Sequence, residues 1–248
     1  AAVAGLGATQ AKALTTAQST ALTTAQVGAL ATGAIAALAT ANIAAMTTAQ
    51  MAALGSKQSA GLSSAQITAL TTAQAAALST EAIAGISASG IKGLETADLV
   101  ALTTAQAEAL TSKQVAALSS VQIAAMQTAD LAALSTAAVA GLGATQAKAL
   151  TTAQVAALTT GQIGSIANTA LSSLSTAQLV ALTTASVVAL TTKQMGAFTT
   201  GQLAAMTTAQ TSALQTEDLV ALSDSQVGAF TTAQLAAMST AQLNALFL

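Results

Sequence analysis

An apolar residue returns every eight positions along this chain and the phase never slips, which limits the folds open to it. From Leu6 to Leu246, all 31 places in that register hold Leu, Ile, Met or Phe. Leu14, Leu22, Leu30, Met46, Leu94, Met126, Leu150, Phe198, Met206 and Phe230 are such anchors. The residue before each anchor, from Ala13 to Ala245, is always Ala, Gly or Ser. Ser or Thr dominates the two places after it. Four places on, 20 of 30 residues are Gln; five places on, 23 of 30 are Val, Ile, Leu or Met. The unit is therefore Leu-Thr-Thr-Ala-Gln-Ile-Ala-Ala.

A continuous α-helix would rotate each anchor roughly 80° from the last, so no buried stripe would form. Coiled coils need periods of seven or eleven. A strand would put the anchor and its fifth neighbour on opposite faces, and would be filled with Ala and Gln, which are poor strand formers. A short helix restarted in each octad accounts for the residues. With Thr15 as N-cap, Gln18 stands at N3 and completes a Thr-x-x-Gln capping box. Leu14 then stands at N′, and N4, the second apolar place of the unit although Ser19 fills it here, completes a hydrophobic staple with the anchor wherever it is apolar. The same arithmetic holds for Thr23 and Gln26 under Leu22 with Val27, and for Thr151 and Gln154 under Leu150 with Val155. Asp98, Asp130 and Asp218 replace Gln at N3, where an acid suits the helix dipole. The expected fold is all-α: a single continuous solenoid over residues 1–248, one helix of about six residues per octad. Anchors are expected inward, with Thr and Gln outward. An isolated octad buries too little to offset its ordering entropy, so stability must be collective.

A longer period overlies the octad. Met46, Met126 and Met206 lie 80 residues apart, and the segment 1–18 recurs unchanged at 137–154. Duplication of octad blocks explains this; a superhelical turn of ten octads is the alternative.

Composition removes most chemistry. The chain has no Cys, His, Pro, Trp or Tyr, only 6% charged residues and a net charge of −2. Cysteine nucleophiles, imidazole acid–base catalysis and Cys/His metal sites lack their atoms. Six scattered Lys make no basic face for nucleic acid. Thr and Gln interrupt every apolar run before it could span a membrane. No catalytic residue, cofactor, metal or small-molecule substrate is expected. Lys57, Lys113 and Lys193 share one octad place and read as solvated charge. Glu217 with Asp218 and Asp224, and Glu95 with Asp98, lack the calcium-loop pattern. Gly61, Gly85, Gly93 and Gly141 fill the small-residue place as packing substitutions, not a phosphate cradle.

The tandem Ala-Leu-Thr-Thr-Ala-Gln-Val/Ile units, as in 149–156, resemble Ala/Thr-rich repeat tracts in very large secreted or surface proteins of proteobacteria. The resemblance implies an extracellular or cell-surface setting and a longer parent chain. With weak net charge to keep copies apart, the leading expectation is a self-associating unit of an extracellular filament, sheath or surface layer. The alternatives are an adhesin stalk or spacer module and, from the Thr-rich surface, an ice-binding protein.

Overall fold

The computed structural model describes residues 5–247. Among them are 29 α-helices of four to eight residues, one 3₁₀ turn at Ile91–Gly93, and no strand. Helices begin at Thr16, Thr24, Thr32, Thr40 and Thr48, and the eight-residue step persists wherever the octad is intact. The solenoid of very short helices is thus observed.

The corner between helices has a simple construction. The anchor adopts an extended conformation, as at Leu38 (φ −60°, ψ 138°). The N-cap that follows is extended too, as at Thr71 (φ −81°, ψ 155°). One or two extended residues break the helix, and no described residue needs a positive φ. That is why the corners require no Gly or Asn, unlike helix ends closed in the left-handed region. The anchor N–H bonds back three residues, as from Leu30 to the Val27 carbonyl at 3.1 Å, which tightens the last turn.

The chain forms two compact units, Ala1–Ala138 and Val139–Leu248. Within each, a helix packs on the one three octads before it. In the first unit, Thr48–Ala52 lies between Thr24–Gly28 and Thr72–Ala77. In the second, Thr176–Val180 lies between Thr152–Ala157 and Thr200–Ala205. Hydrogen bonds between turns join residues 25 to 31 apart, so a turn closes after three to four octads. The ten-octad turn is therefore wrong: 80 residues span several turns.

Burial repeats with the octad. The anchor and the fourth and fifth places after it are buried; the three places between, mostly Thr, Thr and Ala, are exposed. Leu30, Met46, Leu94, Met126, Leu150, Phe198, Met206 and Phe230 lie in the core, while Leu14 and Leu22 are half-exposed. Thr faces outward as expected. Most Gln do not, which corrects the sequence-based expectation: Gln50, Gln66, Gln154 and Gln162 are each at most 2% exposed, whereas Gln18 in an early octad is exposed and Gln26 half-exposed.

The small place before the anchor is where turns touch most closely. A Cβ on Gly85 would lie 2.5 Å from the Ser56 Cα and closer still to its carbonyl oxygen. One on Gly93 would lie 2.9 Å from the Ser64 carbonyl carbon, with the oxygen nearer again. Both obstacles are backbone, which cannot swing aside. Gly85→Ala is expected to lower stability by about 1–3 kcal/mol, whereas Gly33→Ala, with open space around it, should be neutral or slightly stabilising in urea melts.

Candidate functional site

The polar framework of the molecule is its glutamines. Gln114 illustrates how one side chain serves two helices. Its Oε1 accepts from the Thr111 N–H at 2.7 Å and from the Thr111 hydroxyl at 2.9 Å, closing the capping box of Ser112–Ala117. Its Nε2 reaches the preceding turn and donates to the carbonyls of Ile83 (2.6 Å) and Ile86 (2.8 Å). Those carbonyls stand at the end of Thr80–Gly85, where helical i−4 partners run out; the Ile83 carbonyl also takes the Ile86 N–H at 3.2 Å. The amide thus caps the start of its own helix and the end of another.

The pattern recurs in both units. Gln50 donates to the Ser19, Thr20 and Leu22 carbonyls, and Gln74 to those of Ile43, Ala44 and Met46. Gln178 donates to the Ala147, Lys148 and Leu150 carbonyls, and Gln210 to those of Leu179, Val180 and Leu182. The separations are 28, 30 and 31 residues each time. The result is a buried polar seam inside an otherwise apolar stack. Each of these amides is anchored at both ends, so its burial carries no unsatisfied penalty.

The caps singled out from sequence have the expected local geometry. Thr15 and Thr23 Oγ1 each accept from the Gln18 or Gln26 N–H at 3.2 Å, and Thr151 Oγ1 accepts from the Gln154 N–H at 3.1 Å. The Gln side chains return to the N-cap N–H at 2.8–2.9 Å. Sequence reasoning missed the second function of Gln. The signal was present: Glu completes a capping box as well as Gln does, yet Glu never stands at N3 in this chain. Only the amide keeps a donor to spare.

Asp98, Asp130 and Asp218 occupy the same inward place, each 2–3% exposed. A carboxylate cannot donate, so the seam is altered there. At Asp130 and Asp218 the N-cap is Gln, and Gln127 and Gln215 donate instead to the carbonyls of Val100 (2.7 Å) and Val188 (2.5 Å). At Asp98 the N-cap is Glu95, which has no donor. Burial pushes all three carboxyls above the usual 3.8; the Glu95 N–H, Thr104 and Thr192 pull Asp98, Asp130 and Asp218 respectively the other way.

Other candidate residues are dispersed. Lys57, Lys113, Lys193, Glu217 and Asp224 are exposed. Beside the irregular octad Ser87–Leu94 lies an open groove of about 670 Å³ whose lining includes Lys92, Glu95, Thr96 and Ser119. Among the described residues, no three His, Cys, Asp or Glu side chains come together in a metal-binding arrangement, and no helix is long and apolar enough to cross a membrane.

A short-helix solenoid held by a repeating Thr/Gln seam defines the class of this protein. Its sequence matches the ALTTAQ repeat at residues 27–64, 43–80, 91–128, 123–160, 163–200 and 211–247, and the chain belongs to that repeat family. No curated protein matches it.

Proposed function

We propose that this chain is a structural repeat protein, a unit of an extracellular filament, sheath or surface layer built by self-association. The observation that carries the proposal is the division of labour within the octad. All three inward places hold one turn to the next, through anchors, second apolar residues and Gln amides. The outward places form a repeating, almost uncharged surface of Thr, Ser and Ala. Four of the exposed valines, Val100, Val180, Val188 and Val220, stand six places after an anchor. A weakly charged, periodic surface with apolar points offers identical contacts to many copies of itself, with little long-range repulsion.

Purified chain examined by negative-stain microscopy and sedimentation velocity across concentration and salt is expected to show ordered polymers or sheets. Dispersed monomers under every condition would remove self-assembly and leave a stalk or spacer role, in which stacking stays within one chain.

A further inference from the structure

Three octads break the seam in a common way, and their chemistry points to a response to acid. Residues 94–101, 126–133 and 214–221 each carry Asp at N3, Leu at N4 and Glu or Gln as N-cap. Their anchors are Leu94, Met126 and Leu214. In each, the Asp side chain enters the place where Gln elsewhere donates to the preceding turn. The Oδ2 atoms of Asp130 and Asp218 are buried without a hydrogen-bond partner. Around Asp98, neither Glu95 nor the aspartate can donate when ionised, and the Gln amide bond between turns is missing there.

We propose that these octads are acid-tightened seams: on acidification Asp98, Asp130 and Asp218 each take a proton from solvent, and the buried carboxyl becomes a neutral donor facing the preceding turn, as Gln is elsewhere. Few charges oppose or mimic the effect. The helices Thr72–Ala77 and Ser120–Ala125, packed against Thr96–Ala101, carry no titratable residue, which leaves Glu95 on the same octad and Lys92 on the groove rim beside it. Thr104–Glu108, which packs on Thr128–Ala133, contributes Glu108. Thr192–Met195, packed on Thr216–Leu219, contributes Lys193; Glu217 is adjacent, and Thr240–Phe247 contributes none.

The sign follows from burial. The folded chain holds these protons more tightly than the unfolded chain, so unfolding releases them and stability falls as pH rises through the raised values. Acidification from neutrality therefore removes a penalty, the reverse of ordinary acid denaturation.

Thermal melts of the 248-residue chain between about pH 7 and about pH 4 provide the test. The wild-type midpoint is expected to rise by about 5 °C. The triple variant Asp98→Asn, Asp130→Asn, Asp218→Asn, with every exposed acid intact, should start higher at neutral pH and lose most of that rise. Should the triple variant not fold, Asp218→Asn alone is compared with wild type by hydrogen exchange over residues 214–222. Local opening in wild type should then be about tenfold rarer at the lower pH, after correction for intrinsic exchange rates, and unchanged in the variant. A wild-type midpoint that falls steadily on acidification, or variants that keep the wild-type pH response, would overturn the proposal.

Discussion

Gln114→Ala is expected to destabilise the first unit by about 3–5 kcal/mol, far more than loss of an ordinary capping residue. The substitution removes two donations to Ile83 and Ile86 and two acceptances from Thr111. Each bond contributes on the order of 1 kcal/mol, and the Ile86 carbonyl is left in a buried place without this donor, which adds a desolvation cost, while the Ile83 carbonyl keeps the Ile86 N–H. Gln18→Ala is the matched control. Gln18 closes the same capping box, with its Oε1 2.9 Å from the Thr15 N–H, but the side chain is exposed. Its loss should cost about 1 kcal/mol, the usual value for a helix cap. Urea unfolding of both variants measures the difference. Equal effects would mean that the Gln residues matter only as caps.

Ile163→Ala should cost about 2–5 kcal/mol in the second unit. Ile163 is fully buried, and truncation there removes apolar contact and leaves a cavity that rigid neighbouring turns cannot fill. The backbone carbonyl of Ile163 still accepts from Gln194 at 2.8 Å, so the seam survives and the loss reports packing alone. Val180→Ala, at an exposed valine of the same unit, should change stability by no more than about 0.5 kcal/mol. Denaturant midpoints for the two variants separate inward from outward apolar places.

Much of this architecture can be read from the residues because it is local. The octad phase, the Thr N-caps, the return of Gln to the cap and the staple beneath it all act between near neighbours in sequence. They are specified by backbone groups that every helix start leaves unpaired. Two features are not local. The number of octads per turn depends on the angle set by the extended anchor and N-cap, as at Leu38 and Thr71, and no residue pattern encodes that angle directly. The destination of the Gln114 amide lies 28 to 31 residues away. A capping box accounts for Oε1 and is silent about Nε2, so the residue pattern alone puts Gln on the outside with Thr. The exclusion of Glu from N3 is the trace that this second contact leaves in the sequence. Asp98, Asp130 and Asp218 are likewise legible as first-turn acids, but not as buried ones, because the dipole argument places a charge along the helix without saying which face it occupies.

The central claim is that the chain turns back on itself every three to four octads. It can be tested by placing single cysteines at Thr176 and Thr200, both exposed, in a chain that has no cysteine of its own. Spin labels at these sites sit on helices that pack together, Thr176–Val180 and Thr200–Ala205. Packed helices lie about 8–10 Å apart, so strong dipolar broadening is expected in the electron paramagnetic resonance spectrum. The same separation in sequence along an unbroken helix would place the labels about 36 Å apart, and a spectrum without broadening would contradict the fold described.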